Sequence, residues 1–170
     1  KDGRAEVRRR LDKGGTGAAT MHGNSHLIDQ ILRIVYDVAA EKLFRATNPT
    51  TSERISLVAV GGYGRSEMAP FSDVDLLFLL PYKQTPWGEQ VVEYILYLMW
   101  DLGLKVGYAT RSVDACIGYA REDMTIRTGL VESRYLWGDR DLYDTLRQRF
   151  HDEIVAGTGP EFVDTKLEER

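Results

Sequence analysis

Two apolar runs, joined through a glycine turn and a pair of acids, constrain this chain more than any other feature. Ile55 to Val60 is apolar and ends at Gly61-Gly62; Leu76 to Leu80 is apolar and follows directly on Asp73-Val74-Asp75. Both runs read as strands. Side chains alternate faces along a strand, so Asp73 and Asp75 point one way while Val74 and Leu76 point the other. Two carboxylates side by side repel each other unless something positive sits between them. Hard oxygen ligands of this kind suit Mg²⁺, which is usually held by one or two carboxylates plus substrate phosphates. Gly61 and Gly62 have no Cβ, so their backbone N–H groups can approach a phosphate closely, helped by the N-terminus of a following helix. One half of the stretch from 57 to 80 is suited to a triphosphate and the other half to its metal.

Other phosphate-binding patterns do not fit. A Walker A loop needs Gly-Lys-Ser/Thr at its end, and Gly64-Arg65-Ser66 has no lysine there. The dinucleotide fingerprint needs a third glycine where Glu67 stands. Around the turn, Arg65 is a fixed charge for phosphate or a partner for Glu67 or Asp73. Ser66 and Ser72 can donate to phosphate or cap a turn, with capping favoured for Ser72. Tyr63 can stack on a base or simply cover the core.

A length of 170 residues is enough for one domain with its own core. The net charge of −4 argues against indiscriminate nucleic-acid binding. A single cysteine, Cys116, excludes an internal disulfide and fits a reducing compartment, the cytoplasm. The charged segment Lys1 to Lys13 shows no signal-peptide apolar region, and no apolar run approaches a membrane span. A first residue that is lysine, and a last run of charges from Lys166 to Arg170, read as a piece of a longer protein.

Periodicity supplies the remaining elements. Lys1 to Lys13 reads as a basic helix with Val7 and Leu11 on one side, and Arg8-Arg9-Arg10 as its solvated face. Gly14-Gly15-Thr16-Gly17 is a flexible break, and Leu27, Ile31, Ile34, Val35 and Val38 mark an amphipathic helix from about Ser25 to Phe44. His22 and His26, lacking a third ligand, are surface histidines. Asn48 to Ser52 is a loop. Pro86 opens a helix whose apolar side, Val91, Ile95, Leu98, Met99 and Leu102, belongs to the core; Gly103 ends it. Leu104 to Arg111 alternates as a third strand, and Ser112 or Asp114 caps the next helix. Helices over 123–137 and 139–154 complete the chain, with Gly157 to Pro160 introducing a last one. The segments group as a basic N-terminal part (1–24), a core (25–122) and a helical extension (123–170). The fold class is α+β, a small mixed sheet of three or more strands with helices around it.

A Gly-Gly turn followed by Asp-x-Asp between two apolar strands resembles the nucleotidyltransferase superfamily that includes polymerase β. The wording from Val60 to Pro81, with Gly3 to Arg10, Leu98-Met99-Trp100-Asp101, Glu132-Ser133-Arg134 and Leu136-Trp137-Gly138-Asp139, is similar to the bifunctional PII uridylyltransferase/uridylyl-removing (GlnD) family. That resemblance implies transfer of UMP from UTP to a tyrosine of the nitrogen-regulatory protein PII, with Mg²⁺ held by Asp73 and Asp75. It implies β- and γ-phosphate contacts from Gly61 and Gly62. It places uridylyl removal in an HD-type domain and glutamine sensing in ACT domains, both outside these residues. Polymerase-β-like enzymes generally carry a third carboxylate on a neighbouring strand. Leu104 to Arg111 has none, Asp101 and Asp114 lie just beyond its ends, and Val106-Gly107-Tyr108 stands where the uridylyltransferase branch is expected to show Val-Gly-His. Two other readings stay open: a transferase of the same fold passing AMP or UMP to another protein, a small molecule or RNA, and a non-catalytic nucleotide-sensing module.

Overall fold

The computed structural model describes residues 5, 6, 9, 11–46 and 50–156. Its first long element, α1 (Gly17–Asp37), begins well before Ser25, because Thr16 supplies an N-cap: its hydroxyl accepts from the Ala19 N–H at 3.2 Å. The break expected through Gly17 is therefore confined to the residues before it. A π-helical stretch, Val38–Leu43, closes the element.

The two apolar runs pair with each other. Strand β1 (Ser56–Ala59) lies antiparallel to β2 (Val74–Leu80), with Ala59 opposite Leu76. Thr85 caps α3 (Pro86–Asp101), which carries the chain to β3 (Val106–Ser112), parallel to β2. Gly103, at φ +73°, lets the chain turn out of α3. Ser112 then caps α4 (Val113–Glu122), accepting from the Ala115 N–H.

The single helix expected over 123–137 is instead a helix and a strand. Asp123 caps α5 (Met124–Val131), and Arg134–Gly138 forms β4, antiparallel to β1. Tyr135 and Trp137 favour extended backbone, and the free edge of β1 supplies a partner that overrides the helical pattern. Leu136 is fully buried as a result. The sheet of the described residues runs β3-β2-β1-β4, mixed and four-stranded. Asp139 caps α6 (Arg140–Phe150), which continues through a π-helical turn to Val155, and its carboxylate also pairs with Arg54 ahead of β1.

Strand alternation divides the interior in two. Leu57, Leu76 and Phe78 pack against α1 and α3, while Val58, Leu77 and Leu79 pack against α4 and α6. On α3, Val91, Ile95 and Met99 are fully buried, whereas Leu102 at its end is exposed. His22 and His26 are exposed on α1. The basic face around Arg8 and Arg10, the start of the 48–52 loop and the segment after Ala156 lie outside the described residues. Among those described, no helix is long and apolar enough to cross a membrane.

Candidate active site

The glycine turn is a single helical turn, α2 (Gly61–Gly64), set directly on the end of β1. Val60 is extended, and Gly61 then takes φ +58°, a left-handed conformation that L side chains rarely adopt. As first residues of a helical turn, Gly61 and Gly62 have N–H groups with no acceptor four residues back in the same helix. Gly64 is required for another reason. A Cβ there would lie 2.1 Å from the Glu132 carbonyl oxygen, so the turn sits flush against the end of α5.

Asp75 stands beside that turn, half-buried on β2. A Cβ on Gly61 would lie 3.3 Å from its Oδ2, and one on Gly107 would lie 2.7 Å from its Oδ1. Gly107 is its register partner on β3. The carboxylate is thus bracketed by two residues whose missing side chains make room for it. Burial pushes its pKa up, and the neighbouring charge of Asp73 pushes it further. Asp73 is exposed, just ahead of β2. Among the described residues neither acid has a basic partner, so this end of the molecule carries uncompensated negative charge. Hard oxygen donors with no cation of their own fit a divalent metal ion. From Gly61 and Asp75 a cleft of about 470 Å³ runs between the sheet and α5, past Gly107 and Thr128 to Arg111.

Arg65 pairs with Glu67 (3.0 Å) and Glu132 (2.7 Å), not with Asp73, and so ties the turn to the end of α5. Ser66 sits in the turn at φ +61°, its N–H donating to the Tyr63 carbonyl. Ser72 is exposed on the approach to Asp73, in a second groove formed with α1, and its N–H donates to the Ala69 carbonyl. Tyr63 is 1% exposed and covers the core. Tyr108 is in register with Leu76, on the sheet face away from Asp75, and packs edge-on against Phe78. The face of β3 that meets Asp75 carries Gly107, Ala109 and Arg111, and no acid. Asp114 is taken up by Arg149.

One device escaped the sequence. Asp29 of α1, 8% exposed, accepts from the Tyr63 hydroxyl at 2.6 Å and from both terminal nitrogens of Arg134 at 2.8 and 3.1 Å. Arg134, on β4, also donates to the carbonyls of Gly64 and Tyr63, each at 3.2 Å. Burial, and then the charge of Asp29, push the Tyr63 phenol upward, so it stays a donor. This network holds the glycine turn from beneath. The signal for it was an acid at a core position of α1, between Ile28 and Leu32.

The model of the nucleotidyltransferase domain family matches residues 40–135, which include the glycine turn, both acids and β3. The chain is 60% identical over 170 residues, 99% of its length, to a bifunctional uridylyltransferase/uridylyl-removing enzyme of Rhodospirillum rubrum. It is 59% identical to the enzyme of that name from Azospirillum brasilense and 53% identical to one from Novosphingobium aromaticivorans, each over 169 residues and 99% of this chain. In each case it spans 18% of the relative's length.

Proposed function

The chain belongs to the nucleotidyltransferase domain family, and we propose that it transfers UMP from UTP to a tyrosine hydroxyl of the regulatory protein PII. The observation that carries this reading is the uncompensated Asp75 carboxylate, bracketed by Gly61 and Gly107 at the head of a cleft. The relatives' name, uridylyltransferase, supports UMP as the group transferred. Their other named activity, uridylyl removal, is assigned here to the part of those longer proteins that this chain does not span. A single cysteine, buried as Cys116, is in keeping with a cytoplasmic setting.

Asp73 and Asp75 would hold Mg²⁺, which when bound neutralises phosphate charge and acidifies an acceptor hydroxyl. The Gly61 and Gly62 N–H groups donate to the β- and γ-phosphates, since they stand at the start of a helical turn with their hydrogens free. Ser66, in the same turn, adds a hydroxyl donor. Arg65 serves through the turn: its guanidinium is engaged by Glu67 and Glu132 and fixes where the glycine amides point. Ser72 shapes the loop that delivers Asp73.

Radiolabelled transfer with UTP or ATP, with PII as acceptor, tests the proposal. Label from UTP should reach PII only with Mg²⁺ and be lost in Asp73→Asn and Asp75→Asn. The second reading, a nucleotide-sensing module, has one observation in its favour: the β3 face beside Asp75 offers no third carboxylate. It wins if UTP binds with Mg²⁺ but no label reaches PII under any effector condition.

A further inference from the structure

The cleft changes character along its length. Its head holds Gly61 and Asp75; its middle is apolar, floored by Leu77 and Ala109 and walled by Ile126 and Leu130 of α5. Its far end holds Arg111, the only cation lining it among the described residues. Gly107, Ala109 and Arg111 alternate onto the Asp75 face of β3. Four residues at about 3.3 Å each put Arg111 about 13 Å along the strand from Gly107, a distance on the scale of a nucleotide. Phosphate chemistry at one end, an apolar slot for a flat ring, and a fixed donor at the other follow the polarity of a nucleoside triphosphate.

Arg111 also differs from the other arginines nearby. Arg65 is engaged by two carboxylates, and Arg127 donates to the carbonyls of Ala120 and Arg121. Arg111 is half-buried and held by stacking instead, its Cζ 4.8 Å from the Tyr119 ring centroid. Stacking fixes a guanidinium in place without consuming its N–H groups. An arginine offers five donors and no acceptor, so what it can read is a carbonyl oxygen and what it opposes is an amino group.

We infer that Arg111 reads the base of the bound nucleotide and selects uracil, whose far edge is a carbonyl, over cytosine or adenine, which present an amino group there. The inference rests on the cleft being the UTP site, as proposed above. Uracil and cytosine have the same size and differ at that edge in carbonyl against amine, so the pair isolates Arg111 from the shape of the slot.

The test is calorimetric binding of UTP and CTP to the intact protein with Mg²⁺, for wild type, Arg111→Gln and Arg111→Lys. Wild type should prefer UTP by about tenfold to a hundredfold, the range for a charge-assisted hydrogen bond. Arg111→Gln, which can both donate and accept, should bring the two affinities close together by weakening UTP and strengthening CTP. Arg111→Lys, which keeps the charge and loses the fork, should retain part of the preference and guards against a glutamine variant that fails to fold. Equal weakening of both nucleotides in the variants, or no change in either, overturns the role given to Arg111. A wild-type protein that binds neither nucleotide overturns the UTP site itself, and this inference with it.

Discussion

Two aspartates stand on either side of the glycine turn and are treated in opposite ways. Asp29, beneath it, is nearly buried and saturated: a phenol and a guanidinium supply donors to both of its oxygens. Asp75, beside it, is more open to solvent and has glycines where partners could stand. A carboxylate that holds a fold together is satisfied by the fold. Asp75 has no such partner among the described residues, and burial first, then the charge of Asp73, push its pKa up with no cation to offset them.

Exchanging the two roles by mutation should give opposite signatures. Asp75→Asn is expected to lower metal-dependent transfer by more than about a hundredfold, beyond the loss usual when only a group supporting a metal ligand is changed, with the fold intact. Labelled transfer and a melting curve on the same preparation check this. Asp29→Ala should do the reverse, costing about 3 kcal/mol in chemical denaturation because Arg134 loses its carboxylate while staying partly buried. Were Asp29→Ala as stable as the parent, the contrast would break. Gly107→Ala should cut transfer about tenfold to a hundredfold with little loss of stability. Its Cβ meets only the end of the Asp75 side chain, which can turn away.

The pH dependence sharpens the contrast further. Because the folded-state pKa of Asp75 is raised, the native state binds more protons than the unfolded state between the ordinary carboxylate value and the raised one. Stability from this group is present below that window and lost as pH rises through it. Asp75→Asn should therefore melt higher than the parent above the window, and the gap should close in acid below it. The smallest effect expected is on melting in the Asp73→Asn background: removing the second cause of the Asp75 shift should narrow the pH window over which Asp75→Asn gains stability.

What could be read from the sequence was whatever depends on neighbours in the chain. The apolar runs either side of Gly61-Gly62 and Asp73-Val74-Asp75 announce strands and a turn. Thr85-Pro86 and Gly103 bracket a helix with signals that act within a few residues. Strand β4 was hidden because Arg134 to Gly138 is extended only by virtue of β1, which lies far away in sequence. The face that Tyr108 takes was illegible for a related reason: it is set by register with Leu76, and Gly107, not Tyr108, is what Asp75 meets. Asp29 showed only as an acid out of place on an apolar stripe, since its partners lie 34 and 105 positions away.

That last separation has a consequence for how the protein is born. Helix α1 and the glycine turn leave the ribosome first, but the guanidinium that joins them arrives only when residue 134 does. Until then the turn has its glycines and no clamp beneath it. A nascent chain halted short of β4 would carry both acids and the whole Gly-Gly signature with that clamp still missing. Pairings so distant in sequence close slowly, and the turn stays unclamped until β4 docks.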